Sequence, residues 1–416
     1  MSAKTCLLCG FVVMGLIAAT SISAEEGRIY GKIYTDRGDV LEGPIRWDKN
    51  EASWDDMIDG YKEPTDRAEK SKRHKYNEDR GTHIDVFGLT IFSSGGSWGG
   101  TTRQAAIQFG EIQRLTPTAG DAADLLLKSG REVELSSNST DLGDAVREIV
   151  IETQDEGELE LEWDDIDYID FMDGGDIKSD FGHRLFGTVT TSRGGEYTGW
   201  ICWDMDEMFG EDILDGRERD RKRKIKFSQI ARIEKISSQA SRVVLKNGDE
   251  IRLDDSNDVD SGNRGIVVSD PKMGRVIVEW DEFESLDFKE PAKDDIVRYR
   301  DFDGGRPLFG TVYNEDGDEY TGYILWDDDE EYTWEVLDGD YRGVAFDIPF
   351  ANIKSIEKLS RRTSRVTLWD GRQFKLRDSN DVDDDNNGIF VTSTPEGEPE
   401  TSLDWDDFER VEFRKK

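Results

Sequence analysis

Polar and apolar residues alternate along most of this chain with a period of two. Between residues 185 and 191, Leu185, Gly187, Val189 and Thr191 share one face while Phe186, Thr188 and Thr190 take the other. After Arg193-Gly194-Gly195-Glu196 the alternation resumes, with Tyr197, Gly199, Ile201 and Trp203 on one face. Strand, glycine turn, strand is the signature of a β-hairpin. Residues 308–313 and 320–326 repeat it about Asp316-Gly317-Asp318. A second hairpin is predicted where residues 242–245 and 250–253 flank Asn247-Gly248, a pair that favours a type I′ turn. Residues 364–376 match it about Asp370-Gly371. The predicted fold class is all-β. Short helical turns are placed in the Asp-Asp-Met-Ile-Asp-Gly type segments at 55–60, 211–216 and 334–339.

These hairpins belong to a longer pattern. Residues 187–266 align with 310–389 without a gap at a constant offset of 123, and a less faithful copy starts at Gly31. Each copy carries a Trp-Asp pair (Trp47-Asp48, Trp203-Asp204, Trp326-Asp327), then an Asp-Gly pair (Asp59-Gly60, Asp215-Gly216, Asp338-Gly339). Each closes on a second Trp with a Phe eight residues later: Trp163 and Phe171, Trp280 and Phe288, Trp405 and Phe413. Agreement this long marks a repeat built by one recipe. Within a copy both halves open with a hairpin and end on an aromatic-x-x-apolar-x-x-apolar segment, such as Phe227, Ile230, Ile233 and Trp280, Phe283, Leu286. The expectation is three repeat units of two β modules each, as tandem small, partly open barrels. In architecture they loosely resemble SH3-like or Sm-like modules, a likeness that implies no function. The units span 28–171, 184–288 and 306–413, joined by linkers at 172–183 and 289–305. Unit 1 holds an insertion within about 61–106, with His74, His83, Trp98 and a basic stretch, and insertions on a repeat scaffold are common seats of function.

Composition adds an address and a charge. Residues 1–24 combine Lys4, an apolar run from Cys6 to Ala19 and a small-residue end at Ala24, the grammar of a cleaved secretory signal peptide. The run is short for a membrane span, so the mature chain is expected to be exported and not membrane-spanning, in the periplasm, outer envelope or extracellular space. Cys6 and Cys9 leave with the signal, so Cys202 has no intrachain partner for a disulfide. The formal net charge of −38 repels nucleic acid and anionic lipid and favours cations.

Candidate chemistry is sparse. Asp255-Ser256-Asn257-Asp258-Val259-Asp260 recurs as Asp378-Ser379-Asn380-Asp381-Val382-Asp383, and clustered carboxylates suit a hard cation such as Ca²⁺. The EF-hand register fails, because Thr394 stands where the closing glutamate belongs. The simpler reading is an Asx-type turn ending at Asn263-x-Gly265 and Asn386-x-Gly388, with Asp255, Asp258, Asp260, Asp378, Asp381 and Asp383 as calcium ligands in the alternative. The six repeated tryptophans read as caps of the module cores. Trp54, Trp98, Trp200, Trp334 and Trp369 lie off that pattern and are the better ligand candidates. Arg221 and Arg223 belong to a basic island, residues 217–226, for which the simpler reading is a solvated loop and the alternatives are docking of an anionic envelope polymer or of the molecule's own acidic faces. No HExxH, GxSxG, P-loop or dinucleotide motif is present, so no catalytic residues and no cofactor are assigned beyond possible Ca²⁺.

The expected function is that of an exported, acidic β-repeat protein, a non-catalytic binding or structural module of the cell envelope whose partner is an envelope protein or polysaccharide. The alternative is an extracellular carbohydrate- or calcium-binding module. A hydrolase with its site in the unit 1 insertion ranks third.

Overall fold

The computed structural model describes residues 27–62, 85–86, 89–90, 103–118, 120–137, 139–174, 179, 181–395, 397 and 400–415. His74, His83, Trp98 and the basic stretch of the insertion lie outside these residues. Among them the chain is all-β, built on three large antiparallel sheets and one two-stranded ribbon. None of the large sheets closes into a barrel; each runs between two edge strands. No helix among the described residues is long and apolar enough to cross a membrane.

The first sheet is drawn from residues 30–171, within the stretch that the sequence marks as unit 1. Its strands run in the order Gly157–Leu161, Ile149–Thr153, Val40–Trp47, Tyr30–Thr35, Ile166–Phe171, Ile112–Thr118, Ala122–Leu127, Glu132–Ser136, Met57–Lys62, Arg103–Gln108. The two sequence halves are therefore interleaved in one sheet. A hairpin of the second half extends the first-half strand Val40–Trp47, and a hairpin of the first half sits beside Glu132–Ser136. Glycine permits that extension. A Cβ on Gly199 would stand 2.3 Å from the Ser269 carbonyl, and one on Gly322 2.3 Å from that of Thr392. The alternating apolar residues fill the core, where Trp47, Trp203 and Trp326 are fully buried and Trp163, Trp280 and Trp405 nearly so.

The segments at 55–60, 211–216 and 334–339 are not helical turns, which corrects the expectation. An acid closes a turn just ahead of each strand. Asp56 Oδ2 accepts the N–H groups of Ala52 and Ser53, both at 2.8 Å, and Asp212 Oδ2 those of Met208 and Phe209 at 2.8 and 2.9 Å. The strands Met57–Lys62, Ile213–Glu218 and Val336–Tyr341 then begin, with Ile58, Leu214 and Leu337 buried. The helical turns are three-residue 3-10 turns elsewhere, such as Phe109–Glu111, Phe227–Gln229 and Phe350–Asn352, each sinking its phenylalanine into the core.

Buried ion pairs join the units. Arg184 reaches Asp56 at 2.9 Å, and Lys62 pairs with Glu335. Arg275 binds Asp59 at 2.7 and 2.9 Å and Asp347 at 2.7 Å, so residues of all three units meet on one guanidinium. The second sheet also continues into unit 3, because Gly274–Val278 pairs antiparallel with Val344–Pro349.

Candidate functional site

Each Trp-Asp pair at the end of the first-half hairpin leads into a tight turn. Trp47 and Glu51 exchange backbone hydrogen bonds at 2.8 and 3.0 Å, as do Trp203 with Glu207 and Trp326 with Glu330. To close in so few residues the chain takes left-handed conformations at Asp48 (φ 42°), Asp204 (φ 50°) and Asp327 (φ 49°), and again at the residue that follows. Aspartate tolerates this region better than most side chains. The turn brings the aspartate and the glutamate together.

A second aspartate arrives from the other half of the unit. The buried indole N–H of Trp47 donates to the carbonyl of Asp141 (2.9 Å), that of Trp203 to Asp258 (3.0 Å) and that of Trp326 to Asp381 (3.1 Å). One carboxylate oxygen of each is held by a backbone N–H, from Asp59 (2.6 Å), Asp215 (2.5 Å) and Asp338 (2.9 Å). Among the described residues three carboxylate triads result: Asp48, Glu51, Asp141; Asp204, Glu207, Asp258; Asp327, Glu330, Asp381. In each, one oxygen per residue lies within 4.8 Å of the others.

Their surroundings leave acceptor capacity unused. Glu51 (3% exposed) and Glu330 (7%) each hold a buried Oε2 with no hydrogen-bond partner, and so does the Oδ1 of fully buried Asp141. Glu207 Oε2 is likewise buried and unpartnered. Burial, then the neighbouring Asp258 and Asp204, pushes the Glu207 carboxyl up to about 10. Burial and nearby aspartates drive Glu51 and Glu330 well above the ordinary carboxylate range. Burial lifts Asp258 to about 7 against the opposing hydrogen bond from Asp215. Bare, each triad is a concentration of like charge in a dry place, which is unfavourable unless a proton or a cation relieves it.

The outer contacts differ between triads. Arg147 clasps Asp48, with its Nε 3.1 Å from both carboxylate oxygens, and Arg264 Nη2 lies 3.0 Å from Asp204. Asp206 joins these two arginines at 2.9 and 3.0 Å, so a chain of alternating charges links the first two triads. Asp327 is held instead by the side chain of Asn380 and the backbone N–H of Asn387. A cleft lined by Arg46, Lys49, Glu148, Asp206 and Asp212 opens on Glu207.

All-oxygen ligands without histidine or cysteine suit a hard divalent cation. Ca²⁺ bonds oxygen at about 2.3–2.6 Å, so oxygens on opposite sides of one ion stand about 5 Å apart, and three oxygens lying within 4.8 Å of one another can share one ion.

Of the aspartates singled out in the recurrent loops, Asp258 and Asp381 enter the triads, while the other four have local partners. Asp255 pairs with Arg217 at 3.0 Å and Asp378 with Arg377 at 3.0 Å. Asp260 accepts the N–H of Gly262 at 2.8 Å, and Asp383 that of Asp385 at 3.0 Å. The Asx turns are present: Asn263 accepts from Gly265, and Asn386 from Gly388, each at 3.0 Å. Turn and ligand are thus compatible, because the turn uses the asparagines and leaves Asp258 and Asp381 free to point inward. Sequence reasoning missed Glu51, Glu207 and Glu330, although a glutamate four residues after the Trp recurs in every copy.

Trp54, Trp200 and Trp334 are buried, which removes their ring faces from solvent. The Trp200 indole donates to the Asp295 carbonyl at 2.9 Å. Trp369 is half-buried beneath Lys415. Arg221 and Arg223 are exposed on the edge strand Arg221–Lys226, Arg223 paired with Glu218. Comparisons with protein-family models, curated proteins and solved structures find no match to this chain.

Proposed function

We propose that this protein is a non-catalytic binding or structural module of the cell envelope whose fold is completed by divalent cations, Ca²⁺ foremost, one at each carboxylate triad. The observation that carries this reading is that the glutamate of each triad keeps a buried, unpartnered oxygen while its carboxylate lies against those of two aspartates. A protein interior pairs its polar groups, and an orphaned carboxylate oxygen beside two further carboxylates calls for positive charge. The signal-like residues 1–24 support an exported setting, where millimolar Ca²⁺ suits sites of modest affinity. Among the described residues the exposed surface carries most of the acids, in keeping with an envelope protein or polysaccharide as partner and against nucleic acid.

Thermal unfolding with added cations tests the reading. Ca²⁺ is expected to raise the midpoint by linkage, saturably and reversibly with chelator. Mg²⁺ at the same concentration does much less, since it demands a near-ideal octahedron and gives up its water reluctantly. Equal shifts from Ca²⁺, Mg²⁺ and a sodium salt of matched ionic strength would show charge screening alone and overturn the proposal.

A further inference from the structure

The pairing that joins units 2 and 3 inside the chain has an unused counterpart on its surface. Gly274–Val278 pairs with Val344–Pro349, placing Arg275 opposite Asp347, Val276 opposite Phe346, Ile277 opposite Ala345 and Val278 opposite Val344. Both strands belong to hairpins that recur elsewhere. The hairpin of Ile266–Asp270 with Gly274–Val278 has the register of Ile149–Thr153 with Gly157–Leu161: Asp270 faces Gly274 as Thr153 faces Gly157, and Ile266 faces Val278 as Ile149 faces Leu161. The hairpin of Val336–Tyr341 with Val344–Pro349 has that of Ile213–Glu218 with Arg221–Lys226. Gly157–Leu161 and Arg221–Lys226 are therefore the unit 1 and unit 2 counterparts of two strands that bind each other. Among the described residues each is the last strand of its sheet.

Their side chains are complementary. Transposing the internal register sets Glu158 opposite Lys224, Leu159 opposite Arg223, Glu160 opposite Lys222 and Leu161 opposite Arg221. Glu158 and Glu160 are exposed on one face of their strand, and Lys222 and Lys224 on one face of theirs. Directly opposed residues of antiparallel strands touch, so two acid–base pairs form together. The buried Arg275–Asp347 pair of the internal junction becomes Glu158–Lys224, reversed in sign and still matched. The half-buried Leu159 and Leu161 face the aliphatic stems of Arg223 and Arg221. Gly274 lets the strands approach, since a Cβ there would stand 2.2 Å from the Asp347 carbonyl, and Gly157 occupies the same place with nothing within 4 Å.

We propose that a second copy of this chain occupies these edges: Gly157–Leu161 of one molecule pairs antiparallel with Arg221–Lys226 of the next, in the register of the internal junction. The occupant is a like copy because the chain already contains this joint and because its acidic edge complements its own basic edge. Donor and acceptor edges are different surfaces, so the contact is head-to-tail, and each bound copy presents a free edge for another. Backbone hydrogen bonding supplies the adhesion and the charges select partner and register.

Sedimentation of the protein tests this with charge reversals at exposed positions, which leave the fold alone. Wild type at about 100 µM and low salt is expected to grow in mass with concentration and to dissociate in about 1 M salt. Lys222→Glu/Lys224→Glu reverses the basic edge and Glu158→Lys/Glu160→Lys the acidic edge. Each variant alone weakens association at least about tenfold. Mixing the two, or combining all four changes in one chain, restores it, because each reversed edge then meets its complement. A wild type that stays monomeric throughout, or a single-edge variant that assembles as well as wild type, overturns the proposal. The first result would leave an anionic polymer as the occupant of the basic edge.

Discussion

Replacing Arg275 with leucine removes the guanidinium that the three units share. Its Nε donates to Asp347 of unit 3 at 2.7 Å and its Nη1 and Nη2 to Asp59 of unit 1 at 2.7 and 2.9 Å, and all three side chains are buried. Opposite charges about 4 Å apart attract by about 4 kcal/mol at an effective dielectric of about 20, so two such pairs contribute about 8 kcal/mol. Desolvating the arginine offsets several of these, and the substitution is expected to destabilise the junction by about 3–5 kcal/mol, the range for stripping one partner from a buried ion pair. The loss depends on pH in a defined direction. Burial pushes the Asp347 carboxyl up and Arg275 opposes it, so without the arginine the upward push stands alone. A carboxyl whose folded pKa exceeds its unfolded value binds more protons in the native state. The variant's deficit should therefore shrink as pH falls from 7 towards 5 and widen as pH rises. Urea unfolding followed by tryptophan fluorescence measures both effects. Changing Asp59 and Asp347 to asparagine in the same chain should recover most of the loss, because no buried charge is then left alone. A deficit below about 1 kcal/mol at pH 7, or no recovery in the triple variant, would refute the argument.

Three further expectations concern the cores and the triads. Trp203→Ala should destabilise by about 3–5 kcal/mol through the cavity it leaves, whereas Trp203→Phe keeps much of the packing, loses the bond to the Asp258 carbonyl and should weaken Ca²⁺ stabilisation; equal Ca²⁺ responses in wild type and Trp203→Phe would break the link between indole and ligand. Glu207→Gln should raise stability in chelator, by relieving like charge, yet lower it relative to wild type in Ca²⁺, so melting curves that fail to cross over would count against a cation there. Glu111, whose Oε2 accepts the Gly304 N–H at 2.6 Å, is pushed by burial up to about 7, so it costs stability as pH rises from about 4.5 to 7; Glu111→Gln should flatten that part of the pH profile, and an unchanged slope would contradict the assignment.

Strands such as Tyr30–Thr35 and Thr363–Leu368 were legible because they alternate, and the turns because glycine marks them: Gly38, Gly194 and Gly317 all take positive φ. The segments at 55–60, 211–216 and 334–339 misled because runs of Asp favour helix starts as readily as turns. What decides is that Asp56 and Asp212 bind N–H groups three and four residues behind them, which ends a turn and opens a strand. Sheet continuity from Gly274–Val278 into Val344–Pro349 was hidden, because edge pairing is made by backbone groups that every residue possesses. The triads were half visible. Asp258 and Asp381 stood out within an acidic loop, but their partners sit on another hairpin, with Glu207 and Asp258 separated by the whole middle of the unit. A search for ligands at contiguous spacing finds the Asx turn and passes over the glutamate, whereas the recurrence of Trp-Asp-x-x-Glu in three copies is the signal that reaches it.

Equilibrium dialysis of the metal-stripped protein against Ca²⁺, with bound metal counted by atomic emission, tests the central claim most directly. The three triads predict a stoichiometry near three per chain, falling by one in Glu207→Gln. Saturable binding should survive a tenfold excess of Na⁺, because coordination, unlike diffuse attraction to a net charge of −38, is screened little by salt. Binding that rises without saturating, vanishes in salt, or is unchanged by Glu207→Gln would contradict the account.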